Sequence, residues 1–124
     1  MSIEQKFNAI LNKFPKSSVI RYFTGANLIY DNIEDWLRLS GSGVLLITTS
    51  DLYFEYLMPK NKNIIIPLKT INDVEITKRF SEESMGRTVL KVEYVDRNNI
   101  TSYIGLLLAK IYDCYRLICL KKGF

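Results

Sequence analysis

From Ser18 to Ile104 the apolar residues fall into short runs, most of them strand-sized, separated by turn formers: 18–23, 27–30, 44–48, 52–57, 63–66, 73–80, 87–95 and 100–104. Runs of this length bounded by Gly, Asn, Asp, Ser and Pro read as β-strands. The middle of the chain is therefore expected to be built of strands and not of a helical bundle.

Two of the runs alternate cleanly. Val74 and Ile76, then Leu90, Val92 and Tyr94, are interleaved with charged residues, the pattern of a sheet with one dry and one wet face, and they pair across a loop at 81–86. Val44, Leu45, Leu46 and Ile47, like Ile64, Ile65 and Ile66, are apolar on both faces, so a further element must cover their outer side.

Helical periodicity is confined to the two ends. Ile3, Phe7, Ile10, Leu11 and Phe14 share a face over 3–14, with a capping box of Ser2 and Gln5 before it and Pro15 after it. This helix is the natural cover for the doubly apolar strands. Leu107, Leu108, Ile111, Tyr112, Cys114, Tyr115, Ile118 and Cys119 form an apolar arc on a closing helix, with Lys121, Lys122 and Gly123 suited to its C-terminal end. The 124 residues suit one domain, divided into an N-terminal amphipathic helix at 1–15, a β barrel at 18–104 and a C-terminal helix at 105–122.

A hydrophobic fraction of 48% with 24% charged residues is that of a folded globular domain, and the net charge of +4 permits acidic partners without requiring them. The chain has no histidine, which removes histidine-dependent general-base, metal-ligand and pH-switch chemistry. Cys114 and Cys119 fall in one helix, about 7.5 Å apart along its axis, too far to bridge. With no cationic-then-apolar leader and no apolar run of about 18 residues, the expectation is a reduced, cytoplasmic protein, peripheral at the inner membrane face if it meets lipid.

From Gly41 onward the order of landmarks resembles the pleckstrin-homology (PH)-like superfold, closest to its GRAM and bacterial PH branch. Gly43-Val44-Leu45-Leu46-Ile47-Thr48 followed by Asp51-Leu52-Tyr53-Phe54 is similar to that branch's glycine, apolar strand, threonine turn and returning strand. Ile66-Pro67-Leu68-Lys69-Thr70-Ile71-Asn72-Asp73-Val74 is similar to its isoleucine-proline-leucine turn. Leu90-Lys91-Val92, the turn at 96–99 and Gly25-Ala26-Asn27 extend the likeness over about 19–120. The resemblance implies a mainly β (α+β) fold: two orthogonal antiparallel sheets capped by the C-terminal helix, with the N-terminal helix as an addition. Many PH domains carry a tryptophan in the closing helix; here the single tryptophan is Trp36, and Tyr112 or Tyr115 must fill that space.

Inositol-phosphate recognition in many PH domains uses cations around the first strand pair, and here Arg21 and Arg38 flank a Thr24–Asn27 turn that has none. A looser set, Lys60, Lys62, Lys78, Arg79 and Arg87, is the candidate anionic-lipid rim, against the plainer reading of solvated loops diluted by Glu82 and Glu83. Leu117 and Leu120, on the polar side of the closing helix, are candidate partner or dimer contacts.

Enzymatic readings are weak. Ser40-Gly41-Ser42-Gly43 lacks the Lys-Ser/Thr of a phosphate loop and reads as a turn leading into a strand. Asp31, Glu34 and Asp35 lack calcium-loop spacing, Glu82 and Glu83 lack burial to separate their acidities, and the two cysteines look like packing thiols. No catalytic residue, metal site or cofactor is assigned, and nucleic-acid motifs are not visible. Two readings remain: a non-catalytic protein-interaction adaptor, binding a protein partner or a second copy along a sheet edge beside the closing helix, and a peripheral anionic-lipid-binding domain.

Overall fold

A computed structural model describes residues 5, 8–10, 12, 20–29, 41–57, 62–79 and 86–122, with backbone alone at 20–23 and 120–122. Its strands are β1 (Ile20–Ile29), β2 (Gly41–Thr48), β3 (Asp51–Tyr56), β4 (Asn63–Pro67), β5 (Ile71–Thr77), β6 (Val89–Val95) and β7 (Thr101–Leu107). A 3-10 turn, Leu68–Thr70, joins β4 to β5, and helix α1 (Ile111–Lys122) closes the chain.

All strands pair antiparallel in one sheet of order β4-β3-β2-β1-β7-β6-β5. The expected barrel is open: β4 and β5 remain as edges, and the two halves of the sheet are joined through β1. The first part of β1 pairs with β2, from Ile20 opposite Thr48 to Leu28 opposite Gly41, and its last three residues pair with Leu107, Leu106 and Gly105 of β7. Thr24–Asn27 is thus continuous strand and not a turn. Small residues there lie opposite small residues, Ala26 opposite Gly43 and Asn27 opposite Ser42, so two long strands meet without crowding. For the same reason Gly41–Gly43 lie inside β2 and do not form a turn before it.

The concave face is the core. Leu45 and Ile47, Leu52 and Phe54, Ile66, Val74, Leu90 and Val92, and Ile104 and Leu106 meet there, and α1 closes over them with Ile111, Cys114 and Ile118. β5 and β6 behave as their alternation predicts: Val74 and Val92 face inward, while Asp73 and Glu75 are exposed. β7 runs on to Leu107, so the helix begins at Ile111 rather than at 105, and Leu107 and Leu108 belong to the strand and its exit.

The covering element for β2 and β3 is also seen. Gln5 and 8–10 are helical, and Ile10, fully buried, packs with Val44, Leu46 and Tyr53 on the convex face. The other residues of the expected N-terminal helix lie outside the described set. β4 is different: Ile66 is buried but Ile65 is 56% exposed, contrary to the expectation of cover on both faces. A strand at the rim of a sheet has no neighbour on one side, and three isoleucines do not change that.

Candidate functional site

The edge made by β4 has a definite polarity. Tyr56 N–H donates to the Lys62 carbonyl (3.0 Å) and Leu68 N–H to the Ser50 carbonyl (2.9 Å), so the even-numbered residues of β4 exchange hydrogen bonds with β3. By the alternation of an antiparallel ladder, the backbone groups of Asn63 and Ile65 point away from β3. Beside them, across from the β6–β7 turn, lies a cavity of about 460 Å³ bordered by Ile65, Pro67, Tyr94, Val95 and Arg97.

Both walls are held locally. Pro67 cannot continue a ladder as a donor, and Thr70 Oγ1 donates to its carbonyl at 2.7 Å, which fixes the corner into β5. On the other side Asp96 organises the turn: its Oδ1 accepts from the N–H groups of Asn98 (2.9 Å) and Ile100 (3.1 Å), and its Oδ2 from the Ser102 hydroxyl (2.9 Å). Asn99 takes the left-handed conformation at φ 62°, which Asn tolerates better than most residues. The Asp96 carboxyl is held below the usual carboxylate range, chiefly by the Ile100 amide, against an opposing effect of burial and with help from Ser102 and Asn98.

On the convex face Tyr53, packed with Ile10, donates its O–H to Oε1 of Glu55, and both residues are buried. Burial raises the pKa of the Tyr53 hydroxyl well above its usual range, and the bond to Glu55 and its charge add to this. The β2–β3 turn is closed by Thr48, whose Oγ1 accepts from the N–H groups of Ser50 (3.2 Å) and Asp51 (3.0 Å).

No protein-family profile matches the chain, and no curated protein matches it. Solved structures do. The hSac2 domain from human phosphoinositide phosphatase Sac2 aligns with a TM-score of 0.62 at 12% identity, over 99% of this chain and 85% of that one. The Vps36 N-terminal PH domain aligns with a TM-score of 0.58 at 11% identity, over 85% of this chain and 82% of that one. The fold is PH-like.

In this PH-like frame Tyr115 packs against the core from α1, whereas Tyr112, expected inside, is 59% exposed, so Tyr115 is the aromatic that fills the helix–sheet space. Among the described residues the candidate cations are not brought together. β3 and β5 run in opposite senses, so the β3–β4 connection, with Lys62, and the β5–β6 connection, with Lys78, Arg79 and Arg87, lie at opposite ends of the strands. Lys62 Nζ sits 4.9 Å from the Tyr56 ring centroid. Lys60 lies outside the described residues, as do Arg38, Asp31, Glu34, Asp35, Glu82 and Glu83; of Arg21 only the backbone is described.

Leu117 is half-buried against the chain's own core rather than presented outward, and the side chain of Leu120 is not described. Cys114 is buried and its thiol is pushed up to about 12 by burial, while Cys119 is half-buried. Among the described residues no three His, Cys, Asp or Glu side chains converge as metal ligands, and no helix is long and apolar enough to cross a membrane. The groove beside β4 was missed from the sequence. Its only local signal was the Ile-Ile-Ile-Pro run ending at Pro67.

Proposed function

We propose that this chain is a non-catalytic PH-like binding module, of the GRAM and bacterial PH type, that acts as a protein-interaction adaptor. The observation that carries this reading is the open edge of β4 beside an apolar groove of about 460 Å³. Unpaired strand edges bind extended peptide through main-chain hydrogen bonds, with neighbouring pockets giving selectivity. The edge beside the closing helix, β5, is less suited, because α1 packs against it and Asn72, Asp73 and Glu75 project exposed from it. The self-association reading through Leu117 and Leu120 is weakened by the packing of Leu117 on its own core.

A second reading rests on Lys78, Arg79 and Arg87, which are exposed around one loop. With Lys60 and Lys62 as further contacts, they would hold the domain at an anionic membrane from the cytoplasmic side, each well-placed cation adding about 1 kcal/mol. Two of the structural neighbours are a domain of a phosphoinositide phosphatase and a PH domain, which supports a binding role without choosing between protein and lipid.

Affinity capture with the intact chain, run beside sedimentation with neutral and anionic vesicles at about 0.05 M and about 0.3 M salt, separates the readings. The adaptor reading expects a captured protein that survives the higher salt and is lost with Ile65→Asp. Binding to anionic vesicles that collapses with salt, with no Ile65-dependent capture, overturns it in favour of the membrane.

A further inference from the structure

We infer that the strand added to β4 is a short, uncharged, extended peptide with two large apolar residues, one on each side of the residue that pairs with Ile65. The inference rests on the adaptor reading and names the class of partner. The backbone requires a peptide. Asn63 and Ile65 turn their N–H and C=O groups away from β3, and the Pro67 carbonyl follows in the same direction. An occupant without donors and acceptors, such as an acyl chain, would cut these groups off from water and leave them unbonded. Pro67 has no N–H to give, so the added strand ends at the corner.

The side chains set the pattern. On an added strand the residue opposite Ile65 lies beside it on the convex face, where Ile65 pairs with Tyr53 and is 56% exposed. Its two neighbours project to the concave face, the side of Ile64, Ile66 and Tyr94, which belong to or pack against the core and also line the groove. Two large apolar residues placed there extend the core past its present rim.

The charges around the edge favour neither sign. The strand Asn63–Pro67 has no charged side chain. Near it stand Lys62, Lys69 and Arg97, but also Asp51, Glu55 and Asp96, and hydrogen bonding leaves a carboxylate its charge. Lys62 Nζ is itself 4.9 Å from the Tyr56 ring centroid. A charged residue facing Ile64 and Ile66 would lose its hydration and meet repulsion as well as attraction. A second copy of this chain also offers a neutral strand; paired antiparallel about Ile65 it would set Ile64 opposite Ile66 and Asn63 opposite Pro67. It would, however, bring its own β3 along, on the side of the groove where Tyr94, Val95, Asp96 and Arg97 form the far wall. A lone strand makes no such demand on space.

The test uses the intact, isotopically labelled chain and four end-blocked peptides, GSVTVSG, GSETESG, GSKTKSG and GSVPVSG, followed by amide chemical shifts. The expected result is saturable perturbation centred on Asn63, Ile65 and Tyr94 with the first peptide, its affinity changing less than about twofold between about 0.05 M and about 0.3 M salt. Both charged peptides bind at least about tenfold more weakly. The proline peptide, which lacks the N–H that Ile65 accepts, does not bind, a control that makes no demand on the folding of a variant chain. Equal or tighter binding of either charged peptide, or perturbation centred on Asp73 and Glu75 of β5, overturns this inference while leaving an adaptor. So does a concentration-dependent dimer in sedimentation that Ile65→Asp abolishes, with no peptide bound. No perturbation by any peptide in a monomeric chain, together with salt-sensitive vesicle binding, overturns the adaptor reading as well.

Discussion

Gly43 on β2 lies so close to Phe54 on β3 that a Cβ at position 43 would stand 2.7 Å from Phe54 Cζ and 2.2 Å from the Glu55 carbonyl oxygen. The first contact is with a ring in the core and the second with strand backbone, and the backbone cannot swing away as a flexible side chain can. Gly43→Ala therefore overpacks the β2–β3 ladder and costs about 2–3 kcal/mol, the upper part of the usual range for added core volume. Urea unfolding measures this; a midpoint within error of the wild type would show that the two strands are further apart.

Ile10 is fully buried against Val44, Leu46 and Tyr53. Removing its outer carbons in Ile10→Ala leaves a cavity on the convex face and destabilises by about 2–4 kcal/mol. An environment-sensitive dye should also bind the uncovered strands. Unchanged melting temperature and no dye binding would mean that the helical segment does not dock there.

How much of this was legible in the residues depends on how far apart the interacting partners are. The doubly apolar Val44–Ile47 run announced a cover, and Ile10 supplies it. Pro67 announced the corner, and Asp96 with Asn99 the turn, because each acts on its own neighbours. By contrast Gly25 and Ala26 have turn-like local chemistry, yet the ladder to β2 overrides it and keeps β1 continuous. The exposure of Ile65 follows from β4 being a rim strand, and the groove from residues 64–67 meeting 94–97. Those are facts of strand order, which no short window contains. The separation of Lys62 from Lys78, Arg79 and Arg87 has the same origin.

The Asp96 carboxyl has a lower pKa in the folded state than an unfolded Asp, whose pKa is about 3.9. Its contribution is present above that value and is lost as pH falls through the folded one. Asp96→Asn should therefore be less stable than the wild type near neutral pH, and the gap should close on acidification towards about pH 3. Parallel denaturation curves at both pH values would show that the carboxylate does not hold the turn.

Cys114 is buried, with its thiol pushed up to about 12, whereas Cys119 is half-buried. Since thiolate is the reactive form, a disulfide reagent at mildly alkaline pH should label Cys119 in the native chain and Cys114 only after denaturant is added. Rapid labelling of both would place α1 off the sheet.

The central claim is that β4 is an open, correctly oriented edge, and native-state hydrogen exchange of its amides tests it most directly. Ile64 and Ile66, bonded to β3, should exchange slowly, while Asn63 and Ile65, turned outward, should exchange far faster. If Ile65 is as protected as its two neighbours, the edge is already covered in the free chain and no partner strand can add there.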